Sequence, residues 1–154
     1  MPRSYGCAWN GTNTVSSTVP IMGITSAATV RPAIYDIINA SDATPADAAS
    51  TFLLRRFTGG ALSGGTSGTP APMDCLDTAA AASYMYGASI GAPTLTASTS
   101  VLQFSQNQRA TFRWVAVPGK EIILPAVATA GVCMLPTVNN GGTANFVGVW
   151  EYTE

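Results

Sequence analysis

Residues 31–60 read RPAIYDIINASDATPADAASTFLLRRFTGG. Two short stretches rich in β-branched and aromatic residues, Ala33–Asn39 and Thr51–Phe57, flank a polar Ala/Asp/Thr segment, Ser41–Ala49. Side chains on a strand alternate between faces. In the first stretch, alternation sets Ala33, Tyr35 and Ile37 on one face, with Ile34, Asp36 and Ile38 on the other. In the second, Phe52 and Leu54 share one face, while Leu53, Arg55 and Phe57 share the other. Pro32 stands at the entry of the first strand, where a missing N–H is tolerated. The segment between them reads as a loop with room for one helical turn capped by Thr44, with Pro45 in its first position.

The same rhythm of short apolar runs and turn signals continues outward in both directions, which is the pattern of an all-β sandwich or barrel. An early strand is expected around Val19–Thr25, and others over Thr94–Phe104, Arg109–Val117, Ile122–Leu124, Val132–Leu135 and Thr143–Tyr152. Phe112 and Trp114 share one face of their strand, as do Phe146, Trp150 and Tyr152 with Gly148. Pro118-Gly119 and Asn139-Asn140-Gly141-Gly142 carry turn chemistry. The run Thr78–Ala82 favours a short helix. Gly59–Pro72, rich in Gly and Ser, reads as a long surface loop. Residues 1–13 show no clean alternation and read as an extended N-terminal arm, with 14–154 as a single domain. The expected fold is a jelly-roll-like β-sandwich of about eight short strands.

Composition narrows the function. Charged residues make up 10% of the 154, where about 25% is usual. Seven basic and eight acidic residues give a net charge of −1, and no basic stretch occurs. The electrostatic footprint of a nucleic-acid binder is missing. No apolar run approaches the ~20 residues needed to span a bilayer. The opening MPRSYGCAWNGTN holds one Arg and no continuous apolar run, so it does not read as a secretory signal, and folding in a cytoplasm is expected. A weakly charged surface costs little to desolvate, which favours life within an assembly.

Catalytic chemistry has little to work with. The chain has no histidine, which removes the commonest general base and metal ligand. Cys7, Cys75 and Cys133 lack both metal-ligand spacing and a disulfide framework, and read as reduced thiols. Gly59-Gly60 and Gly64-Gly65 lack a following Lys-Ser/Thr, so neither forms a phosphate loop. Asp42 with Asp47, and Asp74 with Asp77, could form a Ca²⁺ site or a glycosidase pair, but neither pair has EF-hand spacing, nothing else supports such chemistry, and Asp42 and Asp47 read as turn or helix caps. No cofactor is expected.

The remaining candidates are contact residues. Trp114 and Trp150 sit in alternating apolar strands and read as core, with sugar stacking as the rival reading. Arg3, Tyr5 and Trp9 lie in the polar arm, where an aromatic suits an anchor to a partner. Arg55-Arg56 is the basic doublet of the chain. Its members point to opposite faces, as interface ion pairs or as one solvated head and one paired with an acid. Arg109 and Arg113 admit the same two readings.

The stretch RPAIYDIINASDATPADAASTFLLRRFTGG, the later FRWVAVPGKEIILPA and the closing ANFVGVWEYTE together resemble a group of small tailed-bacteriophage virion proteins. These are jelly-roll decoration, or cement, proteins that sit as trimers on a capsid shell. The resemblance implies that Arg31-Pro32 opens a strand, Pro118-Gly119 turns the chain toward Glu121–Leu124, and Phe146–Tyr152 closes a sheet. It implies no catalytic residue. It further implies a non-enzymatic homotrimer partnered with the major capsid protein, made in the host cytoplasm and carried on the capsid surface. Truncation of the arm would then abolish docking and spare the fold. The rival is a tail or head-fibre adhesin for cell-surface glycans. A small carboxylate-pair hydrolase is the third reading.

Overall fold

A computed structural model describes residues 2–12, 16, 18–42, 44–88, 90–96, 100–139 and 144–154. Asn140–Gly142 of the expected turn, Thr143, and part of the Thr94–Phe104 segment lie outside the described residues. The described residues form thirteen strands and no helix. In chain order these are β1 (Ser4–Thr12), β2 (Met22–Thr25), β3 (Ala33–Asp42), β4 (Ala49–Gly59), β5 (Thr66–Gly68), β6 (Ala71–Pro72) and β7 (Ser83–Tyr86). They continue with β8 (Thr94–Leu95), β9 (Leu102–Asn107), β10 (Phe112–Val115), β11 (Ile122–Ile123), β12 (Gly131–Asn139) and β13 (Asn145–Thr153).

The strands form two antiparallel sheets. The first runs β10-β3-β13-β1-β6, with β11 also on β3; the second runs β5-β7-β2-β12-β4-β8, with β9 also on β4. Eight strands form the frame: β1, β13, β3 and β10 in one sheet, and β2, β12, β4 and β9 in the other. The chain alternates between sheets at almost every step, which is the winding of a jelly roll. The extra strands β5 to β8 all come from one insertion between β4 and β9, and they extend both sheets.

The core fills the space between the sheets. From the first sheet it takes Tyr5, Cys7, Trp9, Ile34, Ile37, Phe146, Trp150 and Tyr152; from the second, Met22, Ile24, Phe52, Leu54, Phe104, Val132 and Met134. The expected faces of β4 and β13 hold. Phe52 and Leu54 point inward, as do Phe146, Trp150 and Tyr152. Phe104 of β9 stacks on Phe112 of β10 at 3.7 Å between ring centres, closing the sandwich where its two edge strands meet.

Four local expectations are corrected. First, residues 4–12 are an internal strand and not an arm. β1 pairs with β13 along its whole length, from Ser4↔Thr153 to Thr12↔Asn145. Tyr5, Cys7 and Trp9 alternate inward, and the small Ser4, Gly6 and Ala8 between them face out. Gly148 of β13 lies opposite Trp9, and a Cβ there would stand 2.8 Å from the indole Nε1, so the indole needs a glycine as its neighbour.

Second, β3 does not alternate throughout. Glu151 pairs with Asp36 and Tyr152 with Ile34, which leaves Tyr35 as the extra residue of a β-bulge. The bulge resets the phase, so Ile34 and Ile37 both point inward.

Third, no helix forms at Thr78–Ala82 or after Thr44. The polar groups of the first segment are held by the chain termini instead. Ala81 and Ala82 N–H donate to the Glu154 carboxylate at 3.0 and 2.7 Å, and the Thr78 carbonyl accepts from the Tyr5 hydroxyl. In the second segment, Ala46 N–H donates to Gln108 Oε1, and Asp47 accepts from Asn107.

Fourth, Gly59–Pro72 is not a free surface loop. It contains β5 and β6, and Leu62 is buried. Leu62 and Ile90 form a second small core with Phe57, Cys133 and Leu135 on the outer side of the second sheet, joined by Leu53, Met85 and Leu95. The insertion therefore lids that part of the face.

The three cysteines are free, with Cys7 and Cys133 buried and Cys75 exposed. Burial first, then the nearby Glu154, pushes the Cys7 thiol well above its usual range, and burial pushes Cys133 up to about 12. A raised thiol pKa in the folded state means stability that is whole below the ordinary value of 9.0 and lost as pH rises toward the folded value. Thiolates are the reactive form. At pH 8 a thiol reagent is therefore expected to modify one cysteine per native chain, Cys75, and all three after denaturation. Two or more fast-reacting thiols in the native protein would contradict this burial.

Candidate interaction surface

The residues expected to dock a partner do not converge. Tyr5 and Trp9, at 1% and 4% exposure, are core residues and offer no side-chain face to a partner. Their inward alternation in β1 is the reason. Arg3 lies at the surface, where it donates to Thr78 Oγ1 at 2.7 Å and faces Asp77 at 3.6 Å. Arg55 stands opposite Cys133 on the lidded side of the second sheet, with its Nε enclosed. Arg56 points the other way and donates to the Ile123 carbonyl at 2.8 Å, tying β4 of one sheet to β11 of the other. The doublet does split between faces, and Arg56 links the two sheets.

The acidic pairs build loops. Asp74 Oδ1 accepts the Leu76 N–H at 2.9 Å, its carbonyl accepts from Asp77 N–H, and Asp77 meets Arg3. A groove of about 590 Å³ runs past Arg3, Met73, Asp74 and Asp77. Among the described residues, no three of His, Cys, Asp and Glu come together as a metal site would need. Trp150 is fully buried, and Trp114 packs against the core.

A different surface stands out once the lid is recognised. The insertion covers the outer side of the second sheet over Phe57, Cys133 and Leu135, leaving Gln103 and Ser105 of β9 exposed there, whereas the outer side of the first sheet carries no such cover. Its residues follow from the register. One row runs Ala8, Val149, Ile38 and Arg113 across β1, β13, β3 and β10. A neighbouring row runs Gly6, Glu151, Asp36 and Val115. On the flanking rows lie Asn10, Val147 and Ala40 on one side, and Ser4, Thr153, Ala33 and Ile123 on the other. The Met73 methyl lies over Gly6. Most of these side chains are small or β-branched, so the face is flat and weakly polar. Val115 is 54% exposed and Ile123 42%.

One charged cluster interrupts it. Asp36, turned outward at the bulge and nearly buried, is gripped by Arg113, whose Nε stands 3.2 and 3.0 Å from the two carboxylate oxygens. These hydrogen bonds raise the Arg113 pKa, so the guanidinium stays charged. Burial first, then the neighbouring Glu151 carboxylate, lifts the Tyr35 phenol above its usual range. Pairing Arg113 with an acid was one of its two sequence readings. The bulge that supplies the acid leaves no mark in the residue pattern.

Comparison with protein-family models, curated proteins and solved structures returns no match. The functional reading therefore rests on the residues themselves.

Proposed function

We propose that this chain is a non-enzymatic structural protein of a bacteriophage virion. It binds the outside of the capsid shell as a homotrimer, with the major capsid protein as its partner, and stabilises the shell against internal pressure. The observation that carries this reading is the open outer face of the first sheet, a surface of mostly small and β-branched side chains crossed by the single charged cluster of Asp36, Arg113 and Glu151. Such a surface suits contact between proteins, since it desolvates cheaply. An oligomer engaging several shell sites at once gains about 10²–10⁴ in avidity over one site. The mechanism is mechanical: bonds made across subunit junctions must break before the shell can part.

The test is quantitative mass spectrometry of purified particles, scaled to the major capsid protein. A copy number near that of the capsid protein is the expected result. A handful of copies would point to a tail or fibre module, and complete absence would sink the virion reading.

A second reading, a glycan-binding adhesin, has one observation in its favour. A groove of about 270 Å³ is lined by Trp9, Asn10, Tyr86 and Val147. Trp9 presents little more than its rim there, which leaves Tyr86 as the platform for a sugar. Binding on a glycan array, without binding to shells, would favour it.

A further inference from the structure

The two sheets end together along one side of the sandwich, where β9 stands across from β10. Among the described residues, no strand pairs with the far side of β9. The register fixes which backbone groups face that way. Gln108 N–H donates to the Ala48 carbonyl, so the pairs Gln106–Ser50, Phe104–Phe52 and Leu102–Leu54 carry the ladder bonds to β4. The N–H and C=O groups of Gln103 and Ser105 therefore point away from β4. An edge of this kind pairs with other chains unless a charge, a proline or a cover blocks it. β9 reads LQFSQN, with no charge and no proline. Its exposed side chains, Gln103, Ser105 and Asn107, are neutral.

We infer that this edge takes an extended segment of a partner protein as an added strand, apolar at alternate positions and acidic at both ends. Backbone groups two residues apart on a strand recur about every 6.8 Å, and an extended chain matches that spacing with its own. Alternate side chains of the added strand point to opposite faces. On the inner face they meet Leu102, Phe112 and Trp114, which are half-buried at this margin and packed against the core. Apolar residues fit there, and polar ones fit on the outer face beside Gln103 and Ser105. Charge sets the ends. Arg56 lies past the start of β9 and donates to the Ile123 carbonyl; Arg109 follows its other end and donates to the Pro45 carbonyl. Neither guanidinium meets a carboxylate: among the described residues the ion pairs belong to Arg3 and Arg113, and Asp47 accepts from Asn107. An acid at each end of the segment would neutralise them. The same charges turn away a second copy, since two β9 edges paired antiparallel would set Arg56 of one against Arg109 of the other. The inference goes beyond the capsid reading and does not depend on it.

The experiment selects a displayed library of random dodecapeptides on the full immobilised chain, then measures the enriched peptides in solution by fluorescence anisotropy. The enriched peptides are expected to alternate apolar residues and to carry Asp or Glu toward their ends. Ser105→Pro deletes an N–H that no ladder bond uses, and is expected to weaken their binding about tenfold or more. Arg56→Gln and Arg109→Gln are each expected to weaken it severalfold, and less so at high salt. Arg3→Gln, at the opposite margin of the sandwich, is expected to leave it unchanged. Should Ser105→Pro fail to fold, hydrogen exchange on the parent gives the answer: the amides of Gln103 and Ser105 slow when peptide binds. An empty selection overturns the inference, as do peptides that bind Ser105→Pro as tightly as the parent or leave those two amides unprotected. A parent dimer that Ser105→Pro dissolves overturns it too, because the edge then serves a second copy.

Discussion

Deleting residues 2–12 is expected to unfold the protein. The segment is β1, hydrogen-bonded to β13 on one side and to β6 on the other. It contributes Tyr5, Cys7 and Trp9 to the core, and Tyr5 stacks on Tyr152 with ring centres 5.5 Å apart. Truncating one large buried aromatic costs about 3–5 kcal/mol. A domain of this size has about 5–15 kcal/mol in total. Losing two aromatics, a buried thiol and a nine-residue ladder exceeds that reserve. The expected outcome is a chain with no cooperative thermal transition by circular dichroism and rapid digestion by protease. Trp9→Ala alone is expected to fold with a loss of about 3–5 kcal/mol. A truncated chain that melts sharply, within a few degrees of the parent, would refute this placement.

How β1 escaped the sequence reading is instructive. Its alternation is present in Tyr5, Cys7 and Trp9, but Ser4, Gly6 and Ala8 between them are too small to read as a polar face. They belong to an outer sheet surface built mostly of small and β-branched side chains. β4 and β13 were legible because large apolar residues repeat at every second position on the inner side, and Phe52, Leu54, Phe146, Trp150 and Tyr152 lie where the pattern put them. β3 was legible as a strand but not in phase, since a bulge is a matter of register with a partner strand. The lid was hidden by composition. Gly and Ser dominate 59–72, and a single leucine, Leu62, docks it. The open face could not be read at all, because it is defined by what the insertion does not cover.

Gly131→Ala carries the second large effect. Gly131 opens β12 between Thr25 of β2 and Phe57 of β4. A Cβ at this position would lie 2.0 Å from the Ile24 carbonyl oxygen and 2.6 Å from the Phe57 ring. The oxygen belongs to the backbone of a central strand and cannot rotate away, and Phe57 anchors the lid core. Relief requires strands to part, so the loss is expected to reach about 3 kcal/mol or more. In a urea titration this lowers the midpoint by about 1–3 M. A midpoint within a few tenths of a molar of the parent would mean that the strands yield at little cost.

The lid over the second sheet also sets a limit on growth. A sandwich with two bare, weakly charged faces can add copies on both sides, and such addition has no natural end: it yields stacks, then fibres. Here the chain's own insertion, docked by Leu62 and Ile90, covers part of one side. Association through the remaining side terminates once that side is used. On the capsid reading proposed above, a coat held through the open face alone is expected to be one subunit thick.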